Sequence, residues 1–290
     1  MKKSIQLLSI ALTIAGMASL SSCGKKIKDV NGCKNTSAFN YNPAATIDDG
    51  TCQMPQTDQK TIAWDVTGTW CPPCGSYGLP TFDKLGEDFA TSCAFVSLHS
   101  GDVFSSPAAD TLMKSKFFAG TSVPRMGEGS KLVFPAGVYT DIAQNVQKMG
   151  GAINSTISLP MYVGTFLSKS IEGNTLNITT KTKFTEAQSD VDFYLAVYVN
   201  ENGLSATQST TTGSEVKIHN HILRTSVTPV FGTWVAGGAI DAGKVIEKTF
   251  SRSLPASWNA GNLEYIAVLY YKDAATSTGR TGIANVNFIK

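Results

Sequence analysis

Residues 69–75 read Thr-Trp-Cys-Pro-Pro-Cys-Gly, and the predicted elements of the chain are arranged around this stretch. The apolar segment 62–66 precedes it and predicts a short buried strand. Tyr77, Leu79, Phe82, Leu85 and Phe89 follow it at roughly helical spacing. A Cys-x-x-Cys pair between a strand and a helix has its first sulfur at the helix N-terminus, where unpaired backbone N–H groups favour a thiolate. The stretch therefore predicts that Cys71 and Cys74 cycle between dithiol and disulfide.

A structural zinc site is the alternative interpretation of a Cys-x-x-Cys pair. Such sites take four Cys or His ligands, usually as two close pairs. The chain has no second Cys-x-x-Cys, and its 3 histidines are His99, His219 and His221. The sequence therefore favours redox chemistry, and we predict no metal site and no cofactor besides the disulfide.

Length, composition and charge indicate how many domains to expect and which partners to exclude. The chain has 290 residues, of which 42% are hydrophobic and 16% charged, and this length is sufficient for two compact domains. The net charge of +2 and the lack of a basic cluster with interleaved aromatic residues argue against nucleic acid as a partner.

The amino terminus is typical of an exported lipoprotein. Residues 1–22 have a positive start and an apolar stretch, which together predict a signal peptide. The tetrapeptide Leu20-Ser21-Ser22-Cys23 resembles a bacterial lipobox, which implies lipid on Cys23; an ordinary signal peptide near a chance cysteine is the alternative. Gly24 differs from the Asp that resembles an inner-membrane retention signal, so we expect the outer membrane. The sequence leaves open which face of that membrane the protein occupies.

Residues 23–60 predict a tether that contains one small stapled module and a polar linker. The module is too short for a hydrophobic core, and a Cys33–Cys52 bridge would contribute roughly 3 kcal/mol by closing the loop between them. Asp48 and Asp49 offer oxygen ligands for calcium, although Asp-Asp-Gly is also a turn signal, which we favour. The remaining cysteine, Cys93, precedes an apolar run and is predicted to be a buried, inert thiol.

Residues 61–150 resemble thioredoxin-like proteins in several positions. Asp65 stands six residues before Cys71, Trp70 directly precedes the pair, and Val123-Pro124 fits the loop that faces the disulfide in that family. The resemblance implies that Asp65 is a buried proton acceptor for the second thiol and that Pro124 is cis and docks the substrate chain. The alternatives are an exposed aspartate at a strand end and an ordinary trans turn proline.

The intervening sequence predicts the order β-α-β-α-β-β-α. Residues 93–98 predict a buried strand, and Ser106-Pro107 predicts the start of the second helix. Residues 127–130 form the turn of a predicted hairpin. The last helix is predicted to close the domain before Gly150-Gly151.

Residues 151–290 change from a helical to an alternating apolar pattern. Seven short strands with turns between them predict an antiparallel, immunoglobulin-like β-sandwich, without the Cys–Trp–Cys signature of immunoglobulin domains. The expected architecture is thus α/β plus all-β, a thioredoxin-like domain followed by a sandwich.

The histidines have two interpretations each. His99 follows the strand 93–98 at its carboxyl end, where it either tunes the redox pair or forms loop hydrogen bonds, and we favour the second. On one strand, His219 and His221 would point to the same side and could hold a metal with a third ligand. Packing or hydrogen bonding between domains is the interpretation that we favour for this pair.

The combined pattern is similar to the lipoproteins named after a twenty-eight-kilodalton outer-membrane protein of Gram-negative anaerobes. The residues that carry this resemblance are 67–71 (Thr-Gly-Thr-Trp-Cys), the strand that ends at His99, and 219–224 (His-Asn-His-Ile-Leu-Arg). The resemblance covers residues 61–290 and implies an outer-membrane lipoprotein with a thioredoxin-like domain and a β-rich carboxy-terminal region.

The leading functional hypothesis is a lipid-anchored thiol–disulfide oxidoreductase that acts on protein disulfides of the cell envelope. Cys71 would attack the substrate, Cys74 would resolve the mixed disulfide, and Asp65 would manage the proton. Trp70, Val123 and Pro124 would contact the substrate chain, and a redox partner of unknown identity would restore the pair. The alternative is a binding or adhesion lipoprotein in which the same fold is only a scaffold.

Overall fold

The computed structural model describes residues 28–120, 122–273 and 281–290. The predicted signal peptide and the lipidation site at Cys23 lie outside the described residues. The described chain divides into a small unit, 28–36 with 40–52, and a large unit, 37–39 with 53–290. In the parts of the chain that are described, no helix combines the length and apolar character needed to cross a membrane.

The small unit is held together by the Cys33–Cys52 disulfide. Its two short strands, β1 (Asn31–Gly32) and β2 (Ile47–Asp48), pair in parallel. Asp48 and Asp49 each accept a backbone N–H from two residues further on, at 3.1 and 3.0 Å. These carboxylates therefore shape the turn that leads to the second cysteine.

The large unit contains three α-helices and fourteen strands in its described residues. Its first part comprises β3 (Thr61–Thr67), a π-helical turn (Cys74–Gly78), α1 (Leu79–Asp88), β4 (Cys93–His99), α2 (Pro107–Met113), β5 (Arg125–Glu128), β6 (Lys131–Phe134) and α3 (Ile142–Ile157). The second part comprises β7 (Val163–Glu172), β8 (Thr175–Phe184), β9 (Val191–Glu201), β10 (Leu204–Thr210), β11 (Gly213–His219), β12 (Ile222–Ser226), β13 (Thr233–Ala236), β14 (Val245–Ser253), β15 (Leu263–Asp273) and β16 (Thr281–Ile289).

The first part forms one half of a mixed sheet in the order β4-β3-β5-β6. Strands β3 and β4 are parallel and buried along their whole length, as their continuous apolar runs predict. Strands β5 and β6 are antiparallel. Helix α2 begins where predicted, because the Ser106 hydroxyl accepts the Ala109 N–H and Pro107 occupies the first turn.

Helix α3 does not end before Gly150-Gly151, so that expectation is wrong. The helix continues to Ile157, and Gly150 lies within it. A β-carbon on Gly150 would lie 3.3 Å from the ring of Phe89, so the missing side chain makes room for that ring. Here glycine serves close packing between helices rather than helix termination.

The predicted division at residue 150 is also wrong, because residues 53–290 form one compact unit. The sheet continues from β4 through β12, β9 and β15 to β16. Strand β12 is parallel to β4, with Ile222 opposite Ser97. Without β12, the buried strand β4 would present an unpaired edge, and the carboxy-terminal half supplies the strand that covers it.

The carboxy-terminal half is antiparallel and β-rich, as predicted, but it is not a separate sandwich. A three-stranded sheet, β14-β8-β7, packs its apolar side against β9 and β15 of the long sheet. The strict alternation of burial along β8 reflects this one covered face. Two strands that the sequence pattern did not indicate are β13, which pairs with β9, and β10, which forms a hairpin with β11.

Candidate active site

Cys71 and Cys74 form a disulfide between the end of β3 and the π-helical turn. The backbone N–H of Cys74 donates to Cys71 Sγ over 3.2 Å. This N–H belongs to the first helical turn, so it would stabilise negative charge on Cys71 Sγ in the reduced protein. Cys71 is 3% exposed and Cys74 is fully buried, whereas Pro72 and Pro73 between them are exposed.

The loop after β4 forms hydrogen bonds with the two residues that precede Cys71. Trp70 is 53% exposed, and its Nε1–H donates to the Ser100 carbonyl oxygen over 2.7 Å. The Thr69 N–H donates to Asp102 Oδ2 over 2.8 Å. The two residues that precede Cys71 are therefore fixed to one neighbouring loop.

His99, the last residue of β4, contacts this loop through Asp102. Its Nδ1 lies 2.7 Å from Asp102 Oδ2, and its side chain is 1% exposed. Burial would raise the pKa of Asp102, but hydrogen bonds from His99, Thr69 and Phe104 outweigh it and lower that pKa. Of the two interpretations of His99, the structure agrees with hydrogen bonding, although His99 ends strand β4 and its partner Asp102 is the loop residue.

Asp65 lies in β3 and is buried, with 2% exposure. Strand alternation directs it to the same face as Ala63, which packs against α1, the helix that follows Cys74. Burial, reinforced by the charge of Asp83 and opposed by a hydrogen bond from Thr67, raises the pKa of Asp65 to about 8. Its Oδ1 has no hydrogen-bond partner. With this pKa the carboxyl group is mostly protonated at pH 7, and its ionised fraction is the form that can accept a proton.

Val123 and Pro124, just before β5, lie beside the disulfide and the π-helical turn. The Val123–Pro124 peptide bond is cis, and the Val123 carbonyl oxygen lies 3.7 Å from Cys71 Sγ. A β-carbon on Gly78 would lie 3.1 Å from Pro124 Cβ, so Pro124 packs closely on the π-helical turn. Val123 and Pro124 therefore lie beside the sulfur that the sequence predicts to be the nucleophile.

The hairpin of β10 and β11 covers another side of the motif. Gln208 in β10 is 1% exposed and donates through Nε2 to the carbonyl oxygens of Cys71 and Gly68, at 3.1 and 3.3 Å. The Ser209 N–H donates to the Thr69 carbonyl oxygen over 2.8 Å. A β-carbon on Gly75 would collide with the Ser209 carbonyl oxygen, so only glycine fits there. Sequence reasoning missed Gln208, because β10 is rich in Ser and Thr and lacks an apolar alternation.

His219 and His221 do not share a strand or a side, which corrects that expectation. His219 ends β11, and its ring packs against that of His99 with centroids 5.4 Å apart. Burial and the neighbouring His99 lower the pKa of His219 to about 4. His221 has a φ of 58°, outside the strands, and its Nδ1 lies 2.8 Å from Glu264 Oε2. The turn at Asn220 separates the two rings.

Within residues 28–120, 122–273 and 281–290, neither the histidines nor the acidic residues come together as a metal centre. In the described portions of the chain, no group of three or more His, Cys, Asp or Glu side chains has the arrangement needed to hold a metal ion. Cys93 is a free, buried cysteine, and burial followed by the charge of Glu128 raises the pKa of its thiol. This thiol is therefore unreactive at neutral pH.

The fold and the sequence were compared with known proteins. The structure is similar to HBP35 of Porphyromonas gingivalis, with 13% identity, a TM-score of 0.63, and coverage of 81% of this chain and 76% of that one. A domain of the outer membrane lipoprotein Omp28 from Porphyromonas gingivalis matches at 19% identity over 45% of this chain and 88% of that one, with a TM-score of 0.29. The first similarity shows a shared fold. No curated protein matches the sequence.

The family described as outer membrane protein Omp28 matches residues 139–287. The matched segment begins just before α3 and includes β7 to β15, so it covers the β-rich half and leaves the Cys71–Cys74 motif outside. Because it spans just over half of the 290 residues, the chain belongs to the Omp28 family of outer membrane proteins, and the outer membrane is its location.

Proposed function

We propose that the Cys71–Cys74 pair is redox-active and exchanges thiols and disulfides with proteins of the cell envelope. The observation that carries this proposal is the site geometry: a disulfide at a helix start, with the Cys74 N–H directed at Cys71 Sγ and the Val123 carbonyl oxygen 3.7 Å from that sulfur. The order of elements over residues 61–157, which resembles that of thioredoxin-like proteins, also supports it. Strands in the order β4-β3-β5-β6 have α1 and α3 on one face and α2 on the other.

In the proposed reaction, reduced Cys71 attacks one sulfur of a substrate disulfide as a thiolate. The substrate S–S bond breaks, a mixed disulfide forms, and the departing substrate thiolate takes up a proton. Cys74 then attacks Cys71 Sγ, which releases the second substrate thiol and forms the Cys71–Cys74 disulfide. Two electrons pass from the protein to the substrate, and an external dithiol reductant restores the pair. The ionised form of Asp65 would accept the Cys74 proton.

We also propose that lipid on Cys23 anchors the protein in the outer membrane. The Leu20-Ser21-Ser22-Cys23 sequence and the family's location support this anchor. Residues 24–60 would then connect the lipid to the large unit, with the Cys33–Cys52 module as a stapled spacer.

The alternative is a binding lipoprotein in which the Cys71–Cys74 disulfide is structural. The observation that favours it is the hairpin contact, because Gln208 holds the Cys71 carbonyl and Cys71 is only 3% exposed. The two functions differ in redox potential, because structural disulfides resist reduction.

The deciding experiment is an equilibrium redox titration of the Cys71–Cys74 pair in a Cys93→Ala background, with Cys33–Cys52 monitored separately by peptide mass. We expect a potential between about −270 and −120 mV, the range of thioredoxin-like oxidoreductases. A potential below about −300 mV would indicate a structural disulfide and support the binding protein instead.

Asp65→Asn should change the pH dependence of stability. The raised pKa means that the folded protein retains the Asp65 proton up to about pH 8, whereas the unfolded chain releases it near 3.8. Wild-type stability therefore falls between these values as pH rises, by up to about 1.4 kcal/mol per pH unit. The variant lacks this loss, so its stability relative to wild type should increase from about pH 5 to pH 8.

Urea unfolding at several pH values measures this effect. Asp241→Asn, at an exposed aspartate, is the matched control and should leave the pH dependence unchanged. Parallel pH profiles for wild type and Asp65→Asn would show that Asp65 ionises in the folded protein as freely as in the unfolded chain.

A further inference from the structure

A cleft of about 290 Å³ opens beside the redox site. Its apolar lining comes from Val66, Trp70, Met113 and Val123. Trp70 directly precedes Cys71, and the Val123 carbonyl oxygen lies 3.7 Å from Cys71 Sγ. A group bound in this cleft would therefore be adjacent to the reacting sulfur.

Arg125 lines the same cleft as a buried cation. It directly follows Pro124, is 5% exposed, and donates through Nη1 to the Ser122 carbonyl oxygen. Its Nε has no hydrogen-bond partner, and among the described residues no carboxylate lies within ion-pair distance of it. Burial lowers the pKa of Arg125, but a guanidinium group remains charged in proteins.

The other charges that line the cleft do not neutralise Arg125. Asp110 and Lys114 both lie at its rim, and both are exposed. They carry opposite charges, so their sum is zero and the cleft keeps the positive charge of Arg125. A buried charge without a counterion is unfavourable, whereas a planar guanidinium binds a carboxylate through two parallel hydrogen bonds.

We infer that this cleft binds a carboxylate group of the substrate on which Cys71 acts, with the substrate's neighbouring apolar atoms against Trp70 and Val123. This inference rests on the proposed redox function and adds the chemical class of the substrate: a peptide with a negative charge close to its reacting cysteine. The carboxylate comes either from an Asp or Glu side chain or from a chain terminus near the cysteine.

The test uses the full chain, reduced with dithiothreitol and freed of the reductant. Short cysteine peptides are supplied as mixed disulfides with thionitrobenzoate. Cys71 attacks the peptide sulfur, coloured thionitrobenzoate leaves as the thiolate, and Cys74 then releases the peptide thiol. The protein loses two electrons and the mixed disulfide gains them, so one turnover needs no further reagent.

Three peptides separate the sources of the carboxylate. One has Glu two residues from the cysteine and an amidated end, the second has Gln there, and the third has Gln with a free carboxyl terminus next to the cysteine. We expect one carboxylate peptide to react at least about tenfold faster than the amidated Gln peptide at subsaturating concentration. The faster of the two identifies the source.

Arg125→Gln should reduce that ratio to about one, because the substrate carboxylate then has no guanidinium to bind, whereas a ratio that stays at the wild-type value would overturn the inference. Lys244→Gln removes the same charge from the exposed loop before β14 and should keep the wild-type ratio. Equal rates for all three peptides in the wild type would overturn the inference without requiring any variant to fold. If the wild type reacts with none of the peptides, the proposed function fails and this inference fails with it.

Discussion

Cys74→Ala is expected to trap the substrate on the protein as a mixed disulfide, whereas Cys71→Ala reduces exchange to the rate of uncatalysed thiols. The difference follows from the site geometry, because the N–H of Cys74 is directed at Cys71 Sγ and helps only that sulfur to ionise. Removal of Cys74 leaves the attacking thiolate in place but removes the thiol that would resolve the intermediate. Non-reducing electrophoresis and mass spectrometry of envelope extracts measure the trapped species.

Cys93→Ala is the matched control for this pair of variants. The Cys93 thiol is buried and its pKa is raised, so its removal should leave both trapping and exchange unchanged. Trapping by Cys71→Ala in place of Cys74→Ala would reverse the proposed roles of the two cysteines. Trapping by neither variant would favour a structural disulfide.

Trp64→Ala is expected to lower the free energy of unfolding by about 3–5 kcal/mol. Trp64 in β3 is 1% exposed, and its ring packs against those of Phe118 and Tyr198, with centroids 5.3 and 6.1 Å away. Its Nε1–H donates to the Gly129 carbonyl oxygen over 2.8 Å. Truncation would therefore leave a cavity in a core that β3 shares with β9, the strand of Tyr198. Urea unfolding measures the loss.

Trp70→Ala provides the comparison with an exposed tryptophan. Trp70 is 53% exposed and makes one hydrogen bond, so its truncation should cost about 1 kcal/mol or less. In Trp64→Ala, amide protection should fall together in β3 and β15, because both strands belong to one sheet. Protection that is lost in β3 and kept in β15 would show that the two halves unfold independently.

Local sequence determined several secondary-structure elements of this protein and the position of its Cys71–Cys74 disulfide. A buried strand, two cysteines and an apolar helical repeat are consecutive in the chain, so the place of the Cys71–Cys74 disulfide at a helix start could be predicted. The cap at Ser106 and the alternation along β8 are likewise local features. Membership of the outer-membrane family was also predicted from short motifs and is confirmed.

Tertiary structure alone decided what meets at the site. Residues 222 and 97 are more than a hundred positions apart in the chain, yet their pairing joins the two predicted domains in one sheet. The apolar periodicity of a strand does not indicate which distant strand it pairs with. Gln208 reaches Cys71 from a polar hairpin, and His219 and His221 diverge at a turn within one apparent strand. The sequence did not indicate a binding role for Arg125, because that role depends on the burial of its charge without a counterion. Local patterns determine which face of an element is apolar, whereas the partner of that face depends on contacts between distant residues.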